Sequence, residues 1–281
     1  MGRLENSWRL VKASAAVLRA DKELIVFPIA SGAALLLVTA TFAFPLWASG
    51  YFDRFDDGGA NVGAYAVAFL FYLIQYIVVT FANAALVGAA LIRLRGGDPT
   101  LADGLRIAWS RAGVILGYSL IGATVGVILR AIQERAGIVG QIAAGIVGIA
   151  WGLITFLVVP VLVVEQIGPI EAIRRSGALL KRTWGEQIVG NFGVGLAMLV
   201  VSLGALIVVG PIVLLAIASG SIVLIVVAVA LAVVIFAAIA AVGSALQGIF
   251  TAALYRYAAE GETDGYFSSE MVRQAFRPKG A

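Results

Sequence analysis

Three groups of residues in this 281-residue chain have types and spacings that could do chemistry. Asp53, Asp56 and Asp57 form an acidic cluster of the kind that ligates a divalent cation. Their place beside Gly58-Gly59 reads more simply as a solvated turn with helix-stopping carboxylates. Gln75, Asn83, Gln141, Asn191 and Gln247 are the strongest polar side chains inside otherwise apolar runs. Such amides act as interhelical hydrogen-bond donors and acceptors, worth about 0.6 kcal/mol each, or else line a path for a solute. Arg106, Arg111, Arg174, Arg175, Lys181 and Arg182 form the third group, whose chemistry is attraction of an anionic lipid headgroup.

What is missing is as informative. The chain has no histidine and no cysteine, which removes the commonest general base, the commonest metal ligand and all thiol chemistry. No phosphate-binding glycine loop, zinc-protease motif or nucleophile elbow with partners occurs. No Asp, Glu, Lys or Arg lies near the middle of any apolar run, whereas proton-coupled pumps place ionisable groups there. No catalytic residue, metal site or cofactor is therefore expected, and the chain is not expected to be an enzyme.

These residues must be positioned by membrane helices. Hydrophobic residues make up 61% of the chain and charged residues 13%, about half the charged share of a soluble domain. Apolar runs at 24 to 49, 62 to 92, 113 to 131, 137 to 164, 186 to 218 and 220 to 256 each reach the roughly 18 residues that indicate a spanning helix. An all-α polytopic bundle of six spans follows, as a single membrane domain over 1–256 with a short tail at 257–281. The first run is too long, and starts too far from the N-terminus, for a secretory signal. Asp21 is a candidate N-cap for the first span, and Thr183 to Glu186 has capping-box spacing before the fifth. Pro99 and Pro169 each suit a first helical position. Gly210-Pro211 and Ser219-Gly220-Ser221 leave two courses for 211 to 219: continuation of the fifth helix past a kink, or a fold-back at the interface.

Orientation follows from the basic residues. Segments 1–23, 93–112, 165–185 and 256–281 share one side and hold 5, 4, 4 and 4 of the 20 lysines and arginines, leaving Arg54, Arg130 and Arg135 opposite. The positive-inside rule then places both termini in the cytoplasm of a cell (inner) membrane protein. Three of these segments carry apolar stripes at helical spacing: Leu4, Trp8, Val11, Ala15 and Leu18; Leu101, Leu105, Ala108, Trp109 and Ala112; and Ile170, Ile173, Gly177, Leu180 and Trp184. Each predicts an amphipathic interfacial helix leading into two spans, a unit repeated over 1–92, 93–164 and 165–256. Gly113, Gly117, Gly122 and Gly126 in the third span, with Gly145, Gly148 and Gly152 in the fourth, predict a close hairpin of these two spans through glycine faces.

The stretch LIRLRGGDPTLADGLRIAWSRAG within 85–116, VVPVLVVEQIGPIEAIRRSGALLKRTWGE within 158–190 and the ending ALYRYAAEG before AFRPKG resemble a family of bacterial and archaeal six-helix membrane proteins classed as a domain of unknown function. They are also distantly similar to the membrane domain of some glycerophosphodiester phosphodiesterases, without the hydrolase. The first resemblance implies the six-span topology and supplies no catalytic residue. Two function classes are carried forward. One is a non-enzymatic membrane scaffold or lipid-binding module with anionic lipids as partners, no nucleic acid, and a composition compatible with a homo-oligomer. The other is a passive channel or facilitator lined by Gln75, Asn83, Asn191 and Gln247.

Overall fold

The computed structural model describes residues 3–48, 62–135, 137–184, 193–263 and 265–273. Among them there is no strand, and six helices are long and apolar enough to cross a membrane. The protein is an all-α, multi-pass membrane bundle. An amphipathic helix α1 (Arg3–Ala20) leads through a 3-10 turn (Lys22–Ile25) into spans α2 (Val26–Ala48) and α3 (Val62–Leu94). The second amphipathic helix, α4 (Leu101–Ser110), precedes α5 (Ala112–Arg135) and a broken span made of α6 (Gly137–Ile154) and α7 (Val158–Val164). The third, α8 (Pro169–Trp184), precedes α9 (Gly193–Ala218) and α10 (Ile222–Tyr255). A π turn (Arg256–Glu260) and a short α11 (Ser269–Arg273) complete the described chain.

The order of amphipathic helix and two spans thus recurs three times; Pro169 takes the expected first helical position, whereas Pro99 lies outside α4, which starts at Leu101 because Thr100 caps it. The ambiguous stretch after Pro211 continues α9, whose end is marked by Gly220 in the left-handed region at φ 68°. Ser221 then caps α10, its hydroxyl accepting from the Leu224 N–H. The capping box expected over Thr183 to Glu186 lies partly outside the described residues, and one is present at Thr100 and Asp103. The Thr100 hydroxyl accepts from the Asp103 N–H at 3.2 Å while the Asp103 carboxylate accepts from the Thr100 N–H at 3.0 Å. The Thr100 hydroxyl and N–H, followed by the Arg106 charge, hold the Asp103 carboxyl below the usual range.

Helices α3 and α10 form the axis, packed on each other and on most of the remaining elements. At 33 and 34 residues each is about 50 Å long, well beyond the roughly 30 Å hydrocarbon core. Burial is concentrated at the end where α3 and α10 finish: Ala84 to Leu94 and Ala245 to Tyr255 are largely shielded, together with Leu157, Val161 and Leu162 of the fourth span. The opposite halves of α2, α6, α9 and α10 present Leu, Ile, Val and aromatic side chains outward, as membrane-facing surfaces do. The bundle is compact at its basic end and splayed at the other.

The broken fourth span has a defined cause. Pro160 lacks an N–H and crowds the carbonyl four residues earlier, so the helix cannot run straight through 155–157. The Leu157 N–H that this break releases is buried, and the Ser176 hydroxyl of α8 accepts from it at 3.0 Å. Irregular backbone at membrane depth is tolerated only with such a partner.

The glycines of the third span serve a different neighbour from the one their spacing suggests. A Cβ on Gly122 would lie 2.5 Å from the Tyr76 ring, and one on Gly126 would lie 2.6 Å from the Tyr72 hydroxyl, so both accommodate aromatic rings of α3. Gly117 abuts Pro169 of α8 at 3.1 Å. Gly113, Gly145 and Gly152 face open space, and only Gly148 meets the hairpin partner, at 3.9 Å from Leu129. Spans α5 and α6 are neighbours, but the expected glycine seam between them is replaced by a glycine channel for tyrosines. The Tyr72 and Tyr76 rings, 6.2 Å apart, fill it.

Candidate functional site

The three amphipathic helices are seated on the bundle by small residues in α4 and by small and aliphatic residues together in α1 and α8. In α1 the deepest side chains are Leu10, Ala13, Ser14 and Val17, while Trp8 is exposed. In α4 they are Gly104 and Ala108, with Leu105 and Trp109 exposed; in α8 they are Ala172, Ser176 and Leu179, with Ile170 exposed. The buried faces overlap the apolar stripes read in the sequence at Val11, Ala108 and Leu180, and in α4 the buried face is turned toward Gly104 and away from Leu105 and Trp109. In α4 the neighbour is a helix backbone, where close approach favours small residues, and the large side chains Leu105 and Trp109 turn outward. Gly104 shows the closest case, since its Cα sits where a Cβ would lie 2.8 Å from the Ala85 carbonyl oxygen of α3.

Ionic and hydrogen-bonded contacts stitch the same end together. Arg256, whose side chain is 8% exposed, donates to the Leu94 carbonyl at the end of α3 and pairs with Glu260 at 3.4 Å and Glu262 at 2.9 Å. Glu260 also pairs with Arg95. Glu165, just past α7, accepts from Arg175 Nε with both carboxylate oxygens, at 3.0 and 3.1 Å, and from the Tyr255 hydroxyl at 3.3 Å. Arg182 donates to the Ala258 carbonyl at 3.0 Å, tying α8 to the π turn. Glu23 accepts from the Leu101 N–H at 3.0 Å, tying α4 to the turn before α2. Asp21 makes no cap hydrogen bond; it is buried 3.5 Å from Arg93, which also pairs with Asp98. Burial pushes the Asp21 carboxyl above its usual range against the pull of Arg93. The tail is anchored as well, through Phe267 and Val272, both buried in the core.

This network divides the six basic residues expected to meet lipid. Arg175 and Arg182 are engaged within the fold, and Arg106 pairs with Asp103 at 3.0 Å on an exposed surface. Arg111, Arg174 and Lys181 have no ion-pair partner among the described residues. Arg174 borders a shallow groove at the start of α8 with Pro169, Ile170 and Glu171. The pair Arg256 and Glu260 has the local i,i+4 spacing, but their partners Leu94 and Arg95 lie 162 and 165 residues away and Tyr255 lies 90 from Glu165, so local sequence does not mark these contacts across the bundle.

The intramembrane amides do not assemble. Gln75 donates to the Thr39 hydroxyl at 3.2 Å between α3 and α2, Asn83 is half-buried on α3, and Gln141 is exposed on α6. Gln247 lines a groove of about 690 Å³ between α9 and α10 with Ser202 and Ser244. No hydrogen bond joins any two of these amides among the described residues. Asn191 and the cluster Asp53, Asp56 and Asp57 lie outside the described residues.

Comparison with known proteins places the chain in a class and stops there. A bundle of six membrane-length helices with an ion-stitched basic end defines a multi-pass membrane protein. Residues 62–266 match the model of DUF6159, a family of unknown function, and the chain belongs to that family. No curated protein and no solved structure matches it. The distant likeness to the membrane domain of glycerophosphodiester phosphodiesterases finds no support in these comparisons.

Proposed function

We propose that this protein is a non-enzymatic membrane scaffold whose basic end lies at the cytoplasmic surface of a cell membrane and engages anionic lipid. The observation that carries the reading is the division of basic residues. Part of the set stitches the helices together, while Arg111, Arg174 and Lys181 stay without ion-pair partners among the described residues, on helices whose Trp109 and Ile170 face outward. Tryptophan at the headgroup level and unpaired cations beside it suit an anionic interface, at about 1 kcal/mol per basic residue. Of the conduit's four amides, Gln75 bonds Thr39 between α3 and α2 while Gln247 lines a groove between α9 and α10, which weighs against a polar conduit that needs its side chains along one path.

Orientation is tested by labelling. The chain has no cysteine, so single thiols introduced at Lys181 and at Glu134 report alone. A membrane-impermeant reagent added outside cells is expected to modify position 134 and not position 181; modification of position 181 sinks the orientation.

Lipid engagement is tested by neutralising Arg111, Arg174 and Lys181 together to glutamine in the full chain. Loss of about 3 kcal/mol corresponds to roughly a hundredfold weaker retention of phosphatidylglycerol in native mass spectrometry. Added salt should weaken retention in the parent and have little effect in the variant. Neutralising Arg277 and Lys279 in the tail is the control and should leave retention unchanged; truncation is unsuitable because Phe267 and Val272 belong to the core. Unchanged retention in the triple variant removes the headgroup role.

A further inference from the structure

We infer that the apolar groove enclosed by α2, α3, α4 and α5 binds one acyl chain of a phospholipid from the leaflet at the basic end. The inference deepens the lipid-engaging reading above by naming the site and the part of the lipid it takes. The groove has a volume of about 570 Å³. Phe27, Ala85 and Ile115 form its buried floor, Ala34 and Ala82 open its walls, and Ser31 is the one polar side chain among its lining residues.

The space exists because small residues face each other. Alanines at 30 and 34 of α2 oppose alanines at 82 and 85 of α3, and none reaches across the gap. A polar solute would find almost no hydrogen-bond partner there, and water does not fill a site without two or more polar contacts. The groove belongs to spanning helices, so the surrounding solvent is hydrocarbon. Its extent along α3, from Ile77 to Ala85, is nine residues, a rise of about 12 Å. One leaflet of a roughly 30 Å core is about 15 Å deep, so the groove has the depth of a single leaflet.

Its mouth is built for the boundary between chain and headgroup. Helix α4 crosses the end of the groove with Leu105 and Trp109 in the lining, and Trp109 stands edge-on to Phe81 with ring centroids 5.1 Å apart. The indole is 70% exposed, which suits a headgroup-level side chain better than one in bulk hydrocarbon. Arg111 lies between the lining residues Trp109 and Ala112, and Arg106 follows the lining residue Leu105. Cations therefore stand at the position in the fold where the phosphate of a lipid seated in the groove would emerge.

The test is photolabelling of the full chain in phosphatidylcholine vesicles containing phosphatidylglycerol with a photoreactive acyl chain. Peptide mapping is expected to find labelling at Ala34, Ala82 and Leu116 about tenfold above that at the membrane-facing Leu214 and Leu215 of α9. Ala82→Phe should fill the groove and return its labelling to the α9 level, with α9 labelling and melting temperature unchanged. If that variant melts low, Ala34→Leu fills the groove from the opposite wall. Lining labels at the α9 level in the parent, or undiminished labels in a folded filled variant, overturn the inference. Groove labelling that survives neutralisation of Arg111, Arg174 and Lys181, with phosphatidylglycerol retention unmoved, sinks the headgroup reading alone. Salt-dependent retention with an unlabelled groove sinks the groove alone.

Discussion

Arg256→Met is expected to lower the melting temperature of the detergent-solubilised protein by roughly 6 to 12 °C, the equivalent of about 3 kcal/mol. Arg256 directly follows α10, the longest apolar helix among the described residues, and is buried against the end of α3. Its guanidinium satisfies the Leu94 carbonyl and pairs with Glu260 and Glu262. Methionine fills much of the same volume but supplies no donor. The substitution leaves a buried carbonyl without its partner and Glu260 balanced by Arg95 alone. Breaking a fully buried pair costs about 3 to 5 kcal/mol, and the partial exposure of both carboxylates puts this case at the low end. Glu262→Gln provides the contrast. That carboxylate is 64% exposed, so its loss should cost at most about 1 kcal/mol. If the two variants melt together, the arginine does not hold the helix ends and the network is ornamental.

The spans were legible because membrane crossing is a local property of sequence. Apolar runs of membrane length need no knowledge of their neighbours, and all six appear where the runs lie. Even the difficult stretch at Pro211 follows local logic, with α9 continuing until glycine at 220 admits a left-handed turn. Helix faces were harder. A stripe such as Leu101, Leu105, Ala108 and Trp109 looks like a core face by the rule for soluble proteins, where the largest apolar residues go inward. In a bundle bathed in hydrocarbon that rule loses its drive, and the face that packs is the one with Gly104 and Ala108. Spacing likewise identified the crowded glycines of α5 but not what crowds them. Gly122 and Gly126 wait for Tyr76 and Tyr72, residues about fifty positions earlier in the chain. The ionic stitching was the least legible part. Arg95 and Glu260 carry no mark of each other, and the one local hint is a charge, Arg256, placed directly after an uninterrupted apolar helix.

Gly104→Leu is expected to detach α4 from the bundle, at a cost of about 3 kcal/mol or more. A Cβ at this position meets Phe27 Cζ at 2.5 Å and the Ala85 carbonyl oxygen at 2.8 Å. The phenyl ring can rotate away, but the carbonyl belongs to the α3 backbone and cannot move without bending an axial helix. Gly122 differs in this respect, because its nearest atoms are the far end of the Tyr76 side chain. Gly104→Ala should therefore already cost about 1 to 3 kcal/mol, and leucine should exceed it. Gly152→Ala is the opposite case, since nothing lies within 4 Å of its Cβ position and an alanine inside a helix gains about 0.5 to 1 kcal/mol over glycine. Two measurements separate local detachment from global unfolding. Thermal unfolding in detergent should rank Gly152→Ala at or above the parent, then Gly104→Ala, then Gly104→Leu. Limited trypsin digestion below the melting temperature should cleave after Arg106 and Arg111 faster only in the Gly104 variants, because proteolysis requires the local helix to open. Equal digestion of parent and Gly104→Leu would mean that α4 can shift its seat on α3 without leaving it, and the close approach at Ala85 would not be what holds the interfacial helix in place.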